Sequence, residues 1–215
     1  MKVLITGFEP FNNEKINPSQ LAVEKFPNFV GNVEIIKLIL PTVFYKSSKL
    51  LIETINKEQP NIIIHIGQAG GSKNIRIERV AINIDDARIA DNENNKPIDE
   101  IIVSNGENAY FSSLPIKAIL KNLKDNNINA EISNSAGTFV CNHIMYQSLH
   151  YTNNYQPSAN SGFVHIPFIP EQIKDKLNTP AMDLDVIVKA LTIIIKTSID
   201  FYCKSDISYS AGKIY

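Results

Sequence analysis

The chain has 215 residues, of which 44% are hydrophobic and 20% charged, a composition that suits a packed core and excludes a wholly disordered chain. Lysine plus arginine (21) nearly balances aspartate plus glutamate (22), which argues against nucleic acid as a partner. The two cysteines are too few for a disulfide framework. No apolar run approaches the roughly 20 residues that span a bilayer. We therefore expect one α/β domain over residues 1–215, located in the cytoplasm and without a membrane partner.

In the first third of the chain, apolar runs alternate with helical patterns. Residues 3–8 predict a buried strand, and Asn17, Pro18 and Ser19 predict a helix start, with a polar cap followed by proline. Residues 33–40 predict a second strand, and residues 41–59 a second helix. The β-branched run at residues 61–66 is typical of a central strand covered on both faces.

The remaining elements continue the alternation. Residues 75–84 alternate apolar and polar side chains, which predicts a strand with one face in water. Further strands are predicted at residues 130–133 and 163–166, and further helices at residues 115–126, 140–150 and 183–203. This order favours a mostly parallel sheet with helices on both faces, in which sites collect at the carboxyl ends of the strands.

Cys141 lies in or near the first turn of a predicted helix, directly after a predicted strand. The unpaired N–H groups and positive dipole end of such a helix favour a thiolate. The same N–H groups can hold a developing oxyanion. From its position alone, Cys141 is either a nucleophile or a small buried apolar residue.

A thiolate nucleophile needs an imidazole partner, and the chain has four histidines. His65 lies inside an apolar strand and is expected to be a core residue. His143 and His150 lie on the same predicted helix as Cys141 and point away from it, or lie too far along it. His165, on a late strand, is modestly favoured. None of the histidines has the spacing of a zinc site.

The third catalytic side chain, a carboxylate or amide that would orient the imidazole, is the least clear from the residues alone. Glu78 lies on the alternating strand, and there we expect a solvated side chain paired with Arg76 or Arg79. The glycine-containing loop at residues 67–71 lacks dinucleotide-binding spacing and precedes a strand rather than a helix, so it is not a nucleotide motif.

Four segments carry a specific resemblance to a known family and together span residues 4 to about 170. The first is GFEPF (residues 7–11) with NPS (17–19), and the second is GQAG (67–70) with ERVAIN (78–83) and DDAR (85–88). The third is SAGTFVCN (135–142) and the fourth is FVHIPFIP (163–170). In these segments the chain resembles the pyroglutamyl peptidase I, or pyrrolidone-carboxylate peptidase, family of cysteine peptidases.

The resemblance implies roles for named residues. Cys141 is expected to be the nucleophile, His165 the general base and then acid, and Glu78 the carboxylate that orients His165. Arg88 is expected to assist the Cys141 N–H in holding the oxyanion. The implied reaction removes an N-terminal pyroglutamyl (5-oxoprolyl) residue from a peptide through a thioester acyl-enzyme.

The resemblance also implies a flat apolar slot for the uncharged lactam ring. Its expected residues are Phe8, Phe11, Thr42, Ile89, Phe139 and Val140. Asn17 and Gln68 are candidates for hydrogen-bonding the lactam, because burying its N–H and C=O unpaired would cost about 1–3 kcal/mol each. Asn12 and Asn13 stand where the family usually has two glycines, and asparagine tolerates the left-handed backbone that such a turn needs.

Further expectations from the resemblance concern fold and assembly. They are a three-layer α/β/α sandwich with a mixed, mostly parallel sheet, a cytoplasmic homotetramer, and no metal or organic cofactor. Cys203, near the end of the last predicted helix, is expected at a packing or subunit contact. Two other functions stay open: a non-catalytic binding protein that keeps the slot, and a different hydrolase or phosphorylase in which Cys141 is merely buried.

Overall fold

A computed structural model describes residues 1–212 of the chain. The strands are β1 (Lys2–Phe8), β2 (Phe29–Val30), β3 (Val33–Leu40), β4 (Ile62–Gln68), β5 (Ile75–Glu78), β6 (Val80–Ile82), β7 (Ala109–Phe111), β8 (Ala130–Ser133) and β9 (Asn160–Ile166). The helices are α1 (Pro18–Lys25), α2 (Lys46–Glu58), α3 (Ile116–Asp125), α4 (Val140–Tyr155) and α5 (Leu184–Asp200), with a short 3-10 turn at Pro170–Gln172.

Seven strands form the main sheet in the order β2-β3-β1-β4-β9-β5-β8. Strands β3, β1, β4 and β9 run parallel, as do β5 and β8. The pairs β2–β3 and β5–β9 are antiparallel, so β5 enters the sheet against the direction of its neighbour β9. Strands β6 and β7 form a separate antiparallel pair. The expected mixed, mostly parallel sheet is confirmed.

The helices cover both faces of the main sheet. Helices α1, α3 and α5 pack over one face in an apolar cluster that contains the side chains of Ile62, Ile64 and Ile66. Helices α2 and α4 pack over the other face, where Ile63 and Phe163 are buried. Strand β4 is therefore apolar on both sides, as its run of isoleucines predicted. The result is the three-layer α/β/α arrangement.

Two predicted elements have different bounds in the structure. Helix α2 begins at Lys46 rather than at residue 41, because Tyr45 has φ 60° and ψ −46° and turns the chain just before the helix. The predicted strand at residues 75–84 is divided at Arg79, whose N–H donates to Ser133 O in the main sheet while its carbonyl accepts from Ser112 beside β7. Glu78 is thus the last residue that the main sheet retains.

The other differences are small. Helix α4 continues to Tyr155, and α5 ends at Asp200, so that Cys203 lies beyond the helix and is exposed. Strands β2 and β7 have no counterpart among the predicted elements. Over residues 1–212, none of the helices combines the length and the apolar character that crossing a membrane requires.

Candidate active site

The site forms on the face of the sheet that helices α2 and α4 cover. On β9, Phe163 and His165 both point to this face because side chains alternate along a strand. In the register of the neighbouring strands, Gly67 of β4 pairs with His165, and Arg76 of antiparallel β5 also pairs with His165. Two residues further along β5, Glu78 is therefore a diagonal neighbour of His165 on the same face.

Glu78 and His165 are hydrogen-bonded. Glu78 Oε1 lies 2.8 Å from His165 Nδ1, and Glu78 is completely buried. The expectation of a solvated Glu78 paired with Arg76 or Arg79 was therefore wrong. Arg76 instead pairs with Glu131, at 3.1 Å between Nε and Oε1, and Arg79 donates to Ala211 O at 2.7 Å. The antiparallel entry of β5, which periodicity does not reveal, turns Glu78 inward.

The electrostatics of His165 follow from its two partners. Burial disfavours the imidazolium and lowers the pKa of His165, but the charge and hydrogen bond of the Cys141 thiolate, followed by those of Glu78, outweigh it and raise this pKa above its usual value. Since Nδ1 is bonded to Glu78, Nε2 is the nitrogen that faces the sulfur. The arrangement favours the imidazolium form of His165 beside the Cys141 sulfur.

Cys141 is the second residue of α4, and no side chain caps this helix. The first backbone bond of the helix runs from His143 N–H to the carbonyl of the N-cap residue Phe139, at 3.1 Å, so the Cys141 N–H lies outside the helical ladder. A side-chain cap would contribute about 1 kcal/mol. Without it, the first-turn N–H groups stay available to an anion beside the sulfur.

Gly67 provides the space that the sulfur occupies. A Cβ atom at position 67 would lie 2.9 Å from Cys141 Sγ and 2.6 Å from Phe163 Cζ, closer than any real contact. Only glycine therefore lets the sulfur approach β4 beside His165, with which Gly67 is paired. The loop at residues 67–71, which is not a nucleotide motif, contributes in this way to the geometry of the site.

Arg88 lies on a segment that is tied to the start of α4. Asp86 N–H donates to Thr138 O at 2.9 Å, and Thr138 Oγ1 donates back to Asp86 O at 2.8 Å. Asn142, which is 1% exposed, donates from its side chain to Ile82 O and Ile84 O. These bonds fix the segment that leads from β6 to Arg88. Sequence reasoning did not find this use of Asn142; an amide directly after the candidate nucleophile was its only signal in the sequence.

Two adjoining cavities contain the remaining predicted residues. A cleft of about 390 Å³ exposes Cys141 and His165 and is also lined by Arg88, Ile89, Phe139, Gln68 and Phe11, among others. A smaller cavity, the ring pocket, lies beside Cys141 and is lined by Phe8, Phe11, Asn17, Thr42, Gln68, Phe139, Val140 and Cys141. The structure thus brings every residue that the resemblance assigned to substrate binding to the edge of one of these cavities.

The ring pocket is nearly closed. Its volume is about 20 Å³, and it opens into the cleft, with which it shares Phe11, Gln68, Phe139 and Cys141. Its aromatic wall is formed by Phe11 and Phe139, whose ring centroids are 6.1 Å apart. Phe11 lies on the loop that contains Asn12 and Asn13.

That loop keeps a tight turn although it has no glycine. Asn12 and Asn13 have φ of 53° and 61°, both in the left-handed region that asparagine tolerates. Glu14 N–H closes the turn on Phe11 O at 3.1 Å. The geometry agrees with the expectation that asparagine can stand in for glycine here.

The two amide side chains expected near the lactam differ in availability. Asn17 caps α1: its Oδ1 accepts from Ser19 N–H and Oγ, and its Nδ2 donates to Glu9 O at 3.1 Å. Gln68 Oε1 accepts from Gln172 Nε2 at 2.8 Å, which directs the Gln68 amide group relative to the pocket. Gln68 is therefore the freer of the two to donate to a lactam carbonyl.

The other histidines lie apart from Cys141 and have partners of their own. His65 is a buried core residue whose Nδ1 lies 2.9 Å from Thr6 Oγ1, as expected. His150 Nδ1 lies 3.0 Å from the Tyr110 hydroxyl. His143 is hydrogen-bonded to Asp85 and Ser48.

His143, Asp85 and Ser48 form a second hydrogen-bonded group under the site. His143 Nδ1 lies 2.7 Å from Asp85 Oδ2, and His143 Nε2 lies 3.0 Å from Ser48 Oγ. All three residues are buried. Burial raises the pKa of Asp85, and His143 opposes this. The group ties α2 and α4 to the segment before Arg88. Within residues 1–212, no group of three His, Cys, Asp or Glu side chains is placed to hold a metal ion.

The chain is similar to known proteins over nearly its whole length. A family model described as Pyroglutamyl peptidase matches residues 1–201. A pyrrolidone-carboxylate peptidase of Brachyspira hyodysenteriae is 57% identical over 199 residues, 93% of this chain and 99% of that protein. Another, of Alkaliphilus oremlandii, is 51% identical over the full length of both chains.

Solved structures give the same result. Pyroglutamyl peptidase I of Bacillus amyloliquefaciens superposes with a TM-score of 0.92 at 46% identity, covering 96% of this chain and 99% of that one. A single-site variant of the pyrrolidone carboxyl peptidase of Pyrococcus furiosus has a TM-score of 0.91 at 43% identity, covering 93% and 99%. With half of its residues identical to those of full-length relatives and the same fold, the chain belongs to the pyroglutamyl peptidase family.

Proposed function

We propose that this pyroglutamyl peptidase works through Cys141 as nucleophile, His165 as general base and acid, and Glu78 as the carboxylate that orients His165. Membership of the family gives the reaction, which is removal of the N-terminal pyroglutamyl residue from peptides. The observation that carries the residue roles is the buried Glu78–His165 hydrogen bond of 2.8 Å, beside a cysteine at an uncapped helix start.

The first step is attack on the pyroglutamyl carbonyl. The Cys141 thiolate forms a bond to the carbonyl carbon, and the carbonyl electron pair moves onto its oxygen. The Cys141 N–H and the Arg88 guanidinium then stabilise this oxyanion. Glu78 keeps the imidazolium of His165 charged and aligned through Nδ1, so that Nε2 holds the proton needed next.

Collapse of the oxyanion breaks the C–N bond. His165 gives its Nε2 proton to the departing amine, and the pyroglutamyl group stays on Cys141 as a thioester. A water molecule then attacks the thioester while His165 accepts its proton. Pyroglutamate is released and Cys141 leaves as the thiolate, which restores the ion pair.

The ring pocket accounts for the choice of an uncharged terminal residue. Apolar contact comes from Phe8, Phe11, Phe139, Thr42 and Val140. No carboxylate lines this pocket to receive an N-terminal ammonium group. A charged N-terminal ammonium group would lose its hydration there without gaining a partner. The lactam is uncharged, so entering the pocket carries no such cost. Gln68 and Asn17 are the side chains closest to the polar atoms of a bound lactam.

The test compares initial rates on three fluorogenic amides with pyroglutamyl, prolyl and glutamyl groups, with reductant present. We expect turnover of the pyroglutamyl amide only. Iodoacetamide should abolish it in the Cys203→Ser variant, in which Cys141 is the sole remaining cysteine. Equal rates on the three amides, or activity that survives complete alkylation of Cys141, would contradict the proposal.

We also propose that the chain is a single domain and assembles as a homotetramer in the cytoplasm. The exposed apolar side chains of Ile98, Ile101 and Phe111, which are 65%, 66% and 71% accessible, support burial between subunits. Free thiols at Cys141 and Cys203 suit a reducing compartment. Sedimentation velocity should give the mass of four chains and a smaller species for Phe111→Glu. Limited proteolysis should yield no stable internal fragment, and cell fractionation should recover the chain with cytoplasmic markers.

A further inference from the structure

A second large cavity adjoins the catalytic cleft. This outer cavity has a volume of about 400 Å³, and its lining includes Phe11, Glu14, Gln68, Arg88, Ile89 and Phe168. Three of these side chains are apolar and large. We propose that the outer cavity binds the residue that follows pyroglutamate in the peptide substrate, and that it prefers an apolar or aromatic side chain there. This inference rests on the proposed function.

The position of the outer cavity relative to the reacting atoms fits this role. It shares Phe11, Gln68, Arg88 and Ile89 with the cleft that exposes Cys141 and His165, so the two cavities are continuous. The ring pocket is a closed end beside Cys141, and a pyroglutamyl residue has no chain on its amino side. The rest of the peptide must therefore leave the cleft in another direction, past His165, which protonates the leaving nitrogen.

Phe168 is the aromatic wall of the outer cavity and is held in place from several sides. It follows His165 by three residues, and its carbonyl accepts from Met182 N–H at 2.8 Å. A Cβ atom at position 70 would lie 2.4 Å from Phe168 Cζ, so the ring lies directly on the backbone of Gly70. The Lys176 ammonium is 4.4 Å from the ring centroid. A ring fixed in this way loses little freedom when a ligand packs on it.

The charges around the outer cavity leave its apolar wall as the main source of selectivity. Glu14 forms a salt bridge with Lys176, so the two charges offset each other beside the cavity. Arg88 borders the cleft as well, where the oxyanion forms. Phe168 and Ile89 remain to contact the side chain of the residue after pyroglutamate. Binding there becomes more favourable as more apolar surface of that side chain is buried.

The experiment measures kcat/KM for two peptide amides, pyroglutamyl-phenylalanyl amide and pyroglutamyl-glycyl amide, by release of pyroglutamate. We expect the wild-type enzyme to favour the phenylalanyl peptide by about tenfold. In Phe168→Ala this preference should fall to less than threefold. In Gly70→Ala, whose new methyl group displaces the ring without removing it, the preference should also fall. Phe29→Ala is the matched control, because Phe29 is exposed on β2, outside the residues that line the outer cavity; it should keep the wild-type preference.

The outcomes separate this inference from the proposed function. Turnover of both peptides without a preference, or a preference that both Phe168→Ala and Gly70→Ala retain, would overturn the inference and leave the proposed function intact. If the wild-type enzyme released pyroglutamate from neither peptide, the proposed function would fail and the inference with it. Should Phe168→Ala fail to fold, Gly70→Ala alone decides.

Discussion

Glu78→Gln removes the charge of the carboxylate that bonds to His165 and keeps its shape. Glu78 is fully buried, and its Oε1 lies 2.8 Å from His165 Nδ1. A hydrogen bond to a charged group contributes about 1.5–3 kcal/mol. If this contribution is present only when His165 is an imidazolium, its loss lowers kcat/KM by about 10- to 150-fold, at 1.36 kcal/mol for each factor of ten.

The effect of this substitution on stability should be small. Within residues 1–212, Glu78 Oε2 is buried without a hydrogen-bond partner, which is an unfavourable state for a charged oxygen. The amide nitrogen of glutamine would be buried there without a partner in the same way, so one unpaired polar group replaces another, while the amide oxygen can keep the bond to His165. We therefore expect a thermal midpoint within a few degrees of wild type, together with the loss of activity.

The assay is kcat/KM on a pyroglutamyl fluorogenic amide, with NMR titration of the His165 ring and circular dichroism to follow folding. The pKa of His165, which Glu78 helps to raise, should fall in Glu78→Gln and fall further in Cys141→Ala, because the thiolate is its stronger partner. Glu131→Gln is the matched control, since Glu131 pairs with Arg76 on the neighbouring strands. A folded Glu78→Gln enzyme with wild-type kcat/KM would refute the reasoning.

Three further predictions concern the surroundings of the site. Gly67→Ala should lower kcat about 100-fold, because its Cβ would lie 2.9 Å from Cys141 Sγ and displace the proposed nucleophile; kinetics with a folding check decide this, and an active variant would contradict it. Burial lowers the pKa of His65 to about 3. Below pH 6.5, His65 therefore takes up a proton in the unfolded chain but stays neutral in the folded one, so the stability of the fold decreases as the pH is lowered. Between pH 6.5 and 5 this loss should be about 2 kcal/mol smaller in His65→Asn by urea unfolding, and an unchanged loss would refute the assignment. His143→Leu should destabilise by about 3–5 kcal/mol by leaving Asp85 buried without its partner, and adding Asp85→Asn should recover part of it; additive losses would show that the two residues are not coupled.

Much of the fold could be predicted because its signals are local. The isoleucine run of β4 and the cap at Asn17 depend on neighbouring residues, and both elements lie where they were expected. The predicted start of α2 was wrong because Tyr45 has a positive φ, which nothing in the surrounding sequence suggests. The division of the strand at Arg79 depends on pairing with distant residues, Ser133 and Ser112, and so no periodicity could reveal it.

The site shows the same limit more clearly. Cys141 could be singled out from its place at a helix start, because that is a local feature. Glu78 could not be singled out from the residues alone, since its burial depends on β5 entering the sheet antiparallel to β9. Only the family resemblance pointed to it. The Asp85–His143 pair went unnoticed for a related reason: the two residues are 58 positions apart and meet only when α4 packs on the segment before Arg88.

The central claim is that Cys141 carries the acyl group, and mass spectrometry of the acid-quenched enzyme tests it most directly. The enzyme is mixed with excess pyroglutamyl ester and quenched within the first turnover, and its peptides are then mapped. We predict one pyroglutamyl group on the peptide that contains Cys141, none on the peptide that contains Cys203, and neither adduct nor turnover in Cys141→Ala. Turnover by a folded Cys141→Ala enzyme, or an acyl group found on another residue, would contradict the account.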